Sequence, residues 1–414
     1  MLRASWGQSG NTPEDNYLYF RKYGAGTDVA YVDMPGIQPT NIELTGLKWE
    51  TIEQTNFGLT YSGFQGRIYV VFDVYNKKTK NLYIKDAKIP QSTGYATINS
   101  NVGELLNRGW EFMIDSKILE GDRWSFDINL NASQNKNIIL SLPENYQYTY
   151  GNMLDNGNYK ISNVPGQPIG GFFGYRYLGV YPTDEDAIVR DEFGHIVYDP
   201  VTSVPLITTM GGARPDKFEG GDAWYDDINH DGIIDENDLV YLGDLNPKLM
   251  GGISPRFHYG NWILNLFFYY KIGQTIINQT RMDLEKMTTH DNQSKATNWR
   301  WRRSGDITDI PRAYYPGETN PTFNYLGSSR FVENGDFIRF KSVSIKYSLG
   351  QKLCSKLRLD NVSLYLTGYN TYTWTNYSGQ DPDVSQPTKP DELPKDWSRT
   401  PPSIRYMFGA DITF

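Results

Sequence analysis

One cysteine, Cys354, stands alone in 414 residues, so no intrachain disulfide can form and no cysteine cluster can hold a metal. No run approaches the ~20 consecutive apolar residues that a membrane-crossing helix needs, and mean hydropathy is −0.56. That excludes a helical membrane protein. It leaves a transmembrane β-barrel open, because each strand of a barrel gives half its positions to a polar interior. Basic charge is scarce: 40 Lys and Arg stand against 48 Asp and Glu, a net charge of −8. Non-specific nucleic-acid binding therefore has no electrostatic support. The four His, at 195, 230, 258 and 290, lie far apart with no metalloprotease or triad context. No Gly-rich phosphate loop occurs. The carboxylate pairs Asp184/Asp186 and Asp381/Asp383 read as solvated surface, as expected among 48 acids. The chain is read as a non-enzyme. Its opening, Met1-Leu2-Arg3-Ala4-Ser5-Trp6-Gly7, lacks the apolar core of a secretory signal.

What is plentiful is aromatic surface, 14% of residues with 31 Tyr and 10 Trp. Such a supply suits membrane girdles and sugar-stacking faces alike. The clearest order lies at the end of the chain. Ile404, Tyr406, Phe408, Ala410, Ile412 and Phe414 fall on one face of a strand; Arg405, Met407, Gly409, Asp411 and Thr413 fall on the other. Eleven residues at ~3.3 Å each, tilted by ~40°, cover roughly 27 Å, close to the apolar band of an outer-membrane barrel. Trp124, Phe126, Ile128, Leu130 and Ala132 likewise oppose Arg123, Ser125, Asp127, Asn129, Asn131 and Ser133. Comparable strands are predicted for Thr51–Ser62, Arg67–Lys80, Glu104–Ile118, Leu249–Tyr259, Trp262–Gly273 and Asp360–Trp374. In Asp336–Leu349 the apolar face switches near Lys341, the mark of a β-bulge. Leu2–Gly7, Tyr17–Tyr23 and Ile169–Tyr181 complete the expected set of roughly ten to twelve strands. A single short helical turn is predicted around Met282–Met287.

Connections alternate in length. Gly63–Gly66, Leu119–Asp122, Gly260–Asn261 and Gly350–Leu357 are short. Tyr83–Gly103, Pro143–Gly166, Pro182–Pro247, Gln274–Asn334 and Thr375–Pro401 are long and polar. A barrel puts short turns on its periplasmic side and long loops outside. The fold class expected is thus an all-β, antiparallel transmembrane barrel wall, with residues 182–247 as a long extracellular loop.

One stretch has the spacing of a cation site, Asp227-Ile228-Asn229-His230-Asp231-Gly232-Ile233-Ile234-Asp235-Glu236-Asn237-Asp238. Ca²⁺ takes six to eight oxygen ligands, which a loop with a sharp glycine turn can wrap around it. Asp227, Asn229, Asp231 and Asp238 are expected to ligate through side chains, Ile233 through its carbonyl, and Asp235 directly or through water. The other reading is an acidic surface turn. Gly220-Gly221 upstream disfavours an entering helix, so the ion would be structural, pinning an exterior loop. Aromatic candidates for ligand stacking are Trp299, Trp301, Tyr314, Tyr315, Trp374 and Tyr377. Each could equally pack on its own loop or join an aromatic girdle.

Several stretches together resemble the C-terminal half of SusC/RagA-type TonB-dependent transporters. They are Leu2–Asn11, Leu47-Lys48-Trp49-Glu50-Thr51, Asn101-Val102-Gly103-Glu104 with Asn107-Arg108-Gly109, and the Asp227–Gly243 acidic loop. Asn246-Pro247-Lys248, Gly335-Asp336-Phe337-Ile338-Arg339 and the final Phe414 extend the series. The resemblance covers essentially the whole chain. It implies a 22-stranded outer-membrane barrel of Bacteroidetes type, capped by a SusD-like lipoprotein, importing oligosaccharide or peptide with energy from TonB. No signal peptide, TonB-contacting segment, plug domain or first half of the barrel is recognised. Residues 1–414 are therefore expected to be the C-terminal part of the barrel, with Met1 inside a former strand. Two other functions fit the residues alone: a self-contained passive pore, and a soluble glycan-binding β protein with a dockerin-like Ca²⁺ loop.

Overall fold

The computed structural model describes every residue except 14–15, 32–33, 96, 143–158, 162, 212–215, 289, 315–321, 385–392 and 394. Ten long strands follow the alternation. They are β1 (Leu2–Asn11), β2 (Glu50–Gly63), β3 (Ile68–Lys80), β4 (Glu104–Glu120), β5 (Trp124–Ser141), β6 (Leu249–Tyr259), β7 (Trp262–Ile272), β8 (Phe337–Ser348), β9 (Asn361–Thr375) and β10 (Arg405–Thr413). They join in chain order into one antiparallel sheet, with β1 and β10 at its two edges.

Register turns the alternation of each strand into continuous rows. Phe126, Phe257, Leu264, Ile345, Leu366 and Phe408 stand side by side across six strands. Phe126 and Phe257 stack with ring centroids 4.4 Å apart. One residue along, the opposite face carries Asp127, Arg256, Asn265, Ser344, Thr367 and Met407. The first row has hydrocarbon as its solvent, so Phe408 is 73% exposed and Leu366 50% exposed with no protein covering them. The second row is polar apart from Met407 at the edge strand, as a wet interior demands. Charges on it pair locally: Arg3 meets Asp73 at 2.9 Å and Lys346 meets Asp411 at 3.0 Å. Gly58 keeps room for the first of these, since a Cβ there would run into both partners. Outward aromatics collect at both ends of the band, Tyr61, Trp124, Tyr259 and Trp262 near the short turns and Trp6, Tyr372, Trp374 and Tyr406 toward the long connections. This is the distribution of interfacial girdles.

All four short connections lie at one end of the sheet. Tyr259 pairs with Trp262 across a two-residue turn whose Gly260 has φ of 58°, a conformation that glycine adopts without strain. The connection from β8 to β9 contains a short helix, Gln351–Lys356, where only a turn is predicted. The bulge is where the sequence puts it. Pairing of β8 with β7 shifts between Phe267 and Phe268, opposite the step from Ser342 to Phe340 that skips Lys341.

Three expectations need correction. Ile169–Tyr181 is not a wall strand. It divides into short strands Phe172–Tyr175 and Tyr177–Val180, which bury Phe172, Tyr175 and Val180 in a cap formed by the long connections. Its glycines suit close packing there rather than a lipid face. Tyr17–Tyr23 adds no wall strand either: residues 17–20 form turns, and Tyr23 begins a loop hairpin with Met34–Pro39. Third, residues 182–247 are more than a polar loop. With 159–181 and 275–337 they build two apolar cores. One gathers Tyr175, Phe218, Tyr225, Ile234 and Phe323, and the other Phe172, Ile277, Met282, Tyr325 and Phe331.

Candidate functional site

The cap sits where the long connections leave the wall, and buried polar groups tie its segments together. Asp222 is completely buried. Its carboxylate accepts hydrogen bonds from Arg312 Nε at 2.8 Å, Tyr314 Oη at 2.7 Å, Asn324 Nδ2 at 3.1 Å and the Glu219 amide at 2.9 Å. Burial pushes its pKa above the usual carboxylate range although Arg312 pulls the other way. A second network centres on the helical turn α1 (Gln279–Glu285). Glu285 bonds Arg330 at 2.7 Å and Arg281 at 2.9 Å, and both Glu285 and Arg330 side chains are under 5% exposed. Arg330 lies over the rings of Tyr177 and Phe331.

The last long connection is strapped to the inner wall. Arg339, inward on β8 and 2% exposed, pairs with Asp381 and donates to Thr373 Oγ1 at 3.0 Å. Lys271, inward on β7, meets Asp383 at 2.7 Å. Asp381 and Asp383 are therefore a docking pair rather than solvated surface. Asp184 and Asp186 are exposed as expected, and they cap the turn at Thr183 and the amide of Gly220. Further along, Glu333 accepts from the Ser378 amide at 2.9 Å and its hydroxyl at 2.8 Å. Burial would raise the Glu333 pKa, but these bonds and Arg281 outweigh it and hold it below the ordinary value. Between α1 and this connection opens a polar cleft of about 470 Å³, lined by Asn278, Arg281, Glu285, Ser378, Gln380 and Asp396 among others. Periodicity could not reveal this cleft, because its walls come from segments a hundred residues apart.

The described stacking candidates are spread over several places. Trp374 lies on the outward face of β9, 4.8 Å from Tyr372 between ring centroids, and belongs to the girdle. Tyr377 is buried, donating to Asp396 at 2.7 Å. Trp301 donates to the Pro182 carbonyl at 3.0 Å and fills the space beside Gly221. Tyr314 belongs to the Asp222 cluster. Trp299 presents an open indole, 79% exposed. Tyr315 lies outside the described residues.

In the acidic loop the side-chain oxygens turn inward onto the loop's own amides. Asp227 Oδ2 accepts from Gly232, Asn229 Oδ1 from Asp231, and Asp231 Oδ1 from Ile233. Asp238, fully buried, accepts from Ile228 and Asp235 at 2.8 Å each. Asp235 caps the short turn Glu236–Asp238, and Ile233 sits in a two-residue strand pairing with Thr209. Among the described residues no three His, Cys, Asp or Glu side chains converge as a ready-made cation cage. One oxygen is unspent: Asp227 Oδ1 is buried with no hydrogen-bond partner. An orphaned carboxylate oxygen beside a glycine turn fits a hard cation.

Comparison with known proteins gives a consistent result. The family described as TonB dependent receptor-like, beta-barrel matches residues 1–229. The chain is 29% identical over 388 residues to TonB-dependent receptor P3 of Formosa agariphila, covering 92% of this chain and 36% of that protein. TonB-dependent receptor P26 of the same organism is 31% identical over 396 residues, covering 93% and 36%. TonB-dependent receptor SusC of Bacteroides thetaiotaomicron is 24% identical over 438 residues, covering 100% and 37%. The solved RagAB peptide transporter superposes with a TM-score of 0.71 at 21% identity, over 100% of this chain and 40% of that one, which establishes the shared fold. The chain thus spans little more than a third of the length of these curated relatives.

Proposed function

The chain belongs to the TonB-dependent receptor β-barrel family and lies in the outer membrane, and from this we propose that it forms the wall and outer cap of a nutrient importer. The observation that carries the reading is the asymmetry of the sheet: an alternating lipid-facing band along its strands, every short turn at one end, and the two longest connections, β5 to β6 and β7 to β8, folded into a cored cap. The cargo would be oligosaccharide or peptide, met by the cap and passed along the polar inner face. A SusD-like lipoprotein would cover the cap from outside. TonB would supply energy through a plug not assigned to residues of this chain. That its relatives are named as receptors and a transporter supports a role in transport rather than chemistry. Uptake of labelled oligosaccharides and peptides by cells carrying the whole transporter tests this. Uptake that stops with a protonophore supports energised import. Uptake indifferent to it points to a passive pore.

A second reading concerns the acidic loop and rests on the orphaned Asp227 Oδ1. Ca²⁺ held by Asp227, Asn229, Asp231, Asp235 and Asp238, with the Ile233 carbonyl, would pin residues 227–238 against the cap. Protease protection of this loop should then rise with added Ca²⁺ and fall with chelator in the wild type. Asp227→Asn should flatten the response. Equal protection with and without millimolar Ca²⁺ would dismiss the ion.

A further inference from the structure

The helix between β8 and β9, α2 (Gln351–Lys356), serves neither the cap nor the inner wall as described above. Six residues form barely more than a turn and cannot be stable alone, so its position is set by Cys354. That side chain is 1% exposed, and its thiol reaches the Leu349 carbonyl at 3.7 Å. The rest of the segment is turned out. Leu353 and Leu357, one turn apart, are 49% and 54% exposed. Lys352 and Lys356 form a parallel exposed pair, and Arg358 follows. Among the described residues none of these three cations takes part in an ion pair. Residues 351–360 hold three basic side chains and one acid, Asp360, in a chain whose net charge is −8.

Two further observations place the segment. Just before it, outward Tyr347 packs on Trp262 with ring centroids 4.6 Å apart, and Tyr259 beside them is 67% exposed. This is the aromatic girdle at the short-turn end. Just after it, Val362 belongs by register to the outward row of Leu364 and Leu366. Those two are 37% and 50% exposed, yet Val362 is 7% exposed. α2 contacts β9, and this end of the strand is covered on both faces, Val362 on the outward side and Ser363, 0% exposed, on the inward side.

We propose that α2 is an interfacial anchor lying in the headgroup layer beneath the aromatic girdle, with Leu353 and Leu357 in the acyl boundary and Lys352, Lys356 and Arg358 on the phosphates of anionic phospholipid. Leucines beside lysines on one exposed surface are what such a boundary selects, the long basic stems lying along apolar surface while their heads reach phosphate. The surface continues the lipid-facing band, and its charge complements an anionic leaflet. The inference rests on the membrane placement of the wall, not on what is transported.

Depth-dependent quenching tests it in outer membranes containing the whole transporter. In a Cys354→Ala background, a polarity-sensitive fluorophore on Leu353→Cys is exposed to lipids spin-labelled at the headgroup, to lipids labelled mid-chain, and to aqueous iodide. Headgroup nitroxide should quench at least twofold more than either other agent. A parallel label on Leu366→Cys should respond to the mid-chain nitroxide instead. Combined Lys352→Gln, Lys356→Gln and Arg358→Gln should at least halve the headgroup response. Strong iodide quenching would put the helix in water, and silence toward all three agents would mean the leucines pack on protein; either overturns the proposal. Native mass spectrometry needs no label and no cysteine change. The unlabelled protein should retain phosphatidylglycerol over phosphatidylcholine at least threefold, and the triple variant should show no preference. Equal retention by the wild type would also overturn it.

Discussion

Removing the carboxylate of Glu285 should unfasten one half of the cap. Glu285 and Arg330 are both more than nine-tenths buried and joined at 2.7 Å, and Glu285 also takes Arg281 at 2.9 Å. Arg330 Nε and Nη1 have no hydrogen-bond partner of their own, so the guanidinium depends on this one carboxylate and on the faces of Tyr177 and Phe331. Glu285→Ala strands that charge in a dry site, and breaking a buried pair from one side costs about 3–5 kcal/mol. At ~1.4 kcal/mol per decade this is roughly a hundred- to several-thousandfold more frequent local opening. Arg330→Met should cost less, about 1–3 kcal/mol, because Glu285 keeps Arg281, whose side chain is 37% exposed. Paired replacement by Glu285→Leu and Arg330→Met removes both desolvated charges and should return within about 1–2 kcal/mol of the wild type. Native-state hydrogen exchange at Asn278 and Met282 reads the opening, since their amides bond the Phe331 and Asn278 carbonyls. Wild-type exchange in Glu285→Ala, or a double variant as open as the single, would refute the reasoning.

Face assignment is tested one residue apart on β9: Leu366→Arg, outward, should cost about 2–4 kcal/mol and lower the yield of heat-modifiable folded barrel, while Thr367→Arg, inward, should cost little. Arg339→Met should release residues 381–384 from the inner wall. Because Asp381 is partly exposed and can rehydrate, the cost should be about 2–3 kcal/mol, seen as protease cleavage in that segment with the sheet intact. For Glu333 the sign follows from its lowered pKa. A carboxylate held below its ordinary 4.5 adds stability in full above that value and loses it as pH falls through the folded value. Exchange at the Ser378 amide, corrected for its intrinsic rate, should therefore quicken below about pH 4.5 in the wild type. Glu333→Gln should be quick at every pH.

The wall was legible and the cap was not, for one physical reason. A strand with hydrocarbon on one side and water on the other must alternate over its whole length, so Phe126 to Ala132 or Tyr406 to Ile412 declares its faces without any partner. Even the bulge at Lys341 shows, because one skipped residue moves every later apolar side chain to the other parity. The cap is built from strands of two to five residues, too short for any period to register. Its core is drawn from positions as distant as Tyr159 and Phe331. The aromatics cannot be told apart in the sequence for the same reason: Trp374 and Tyr377 are three residues apart, but the first holds the last outward place on β9 and the second is already inside the cap. Asp381 and Asp383 looked like surface because their partners lie 42 and 112 residues back. Strand parity could still have found them. It turns Arg339 and Lys271 inward at the mouth of the wall, and a cation fixed there under a long connection is costly unless that connection brings a carboxylate down to it. The chain from 375 to 401 carries such a pair six residues after the end of β9.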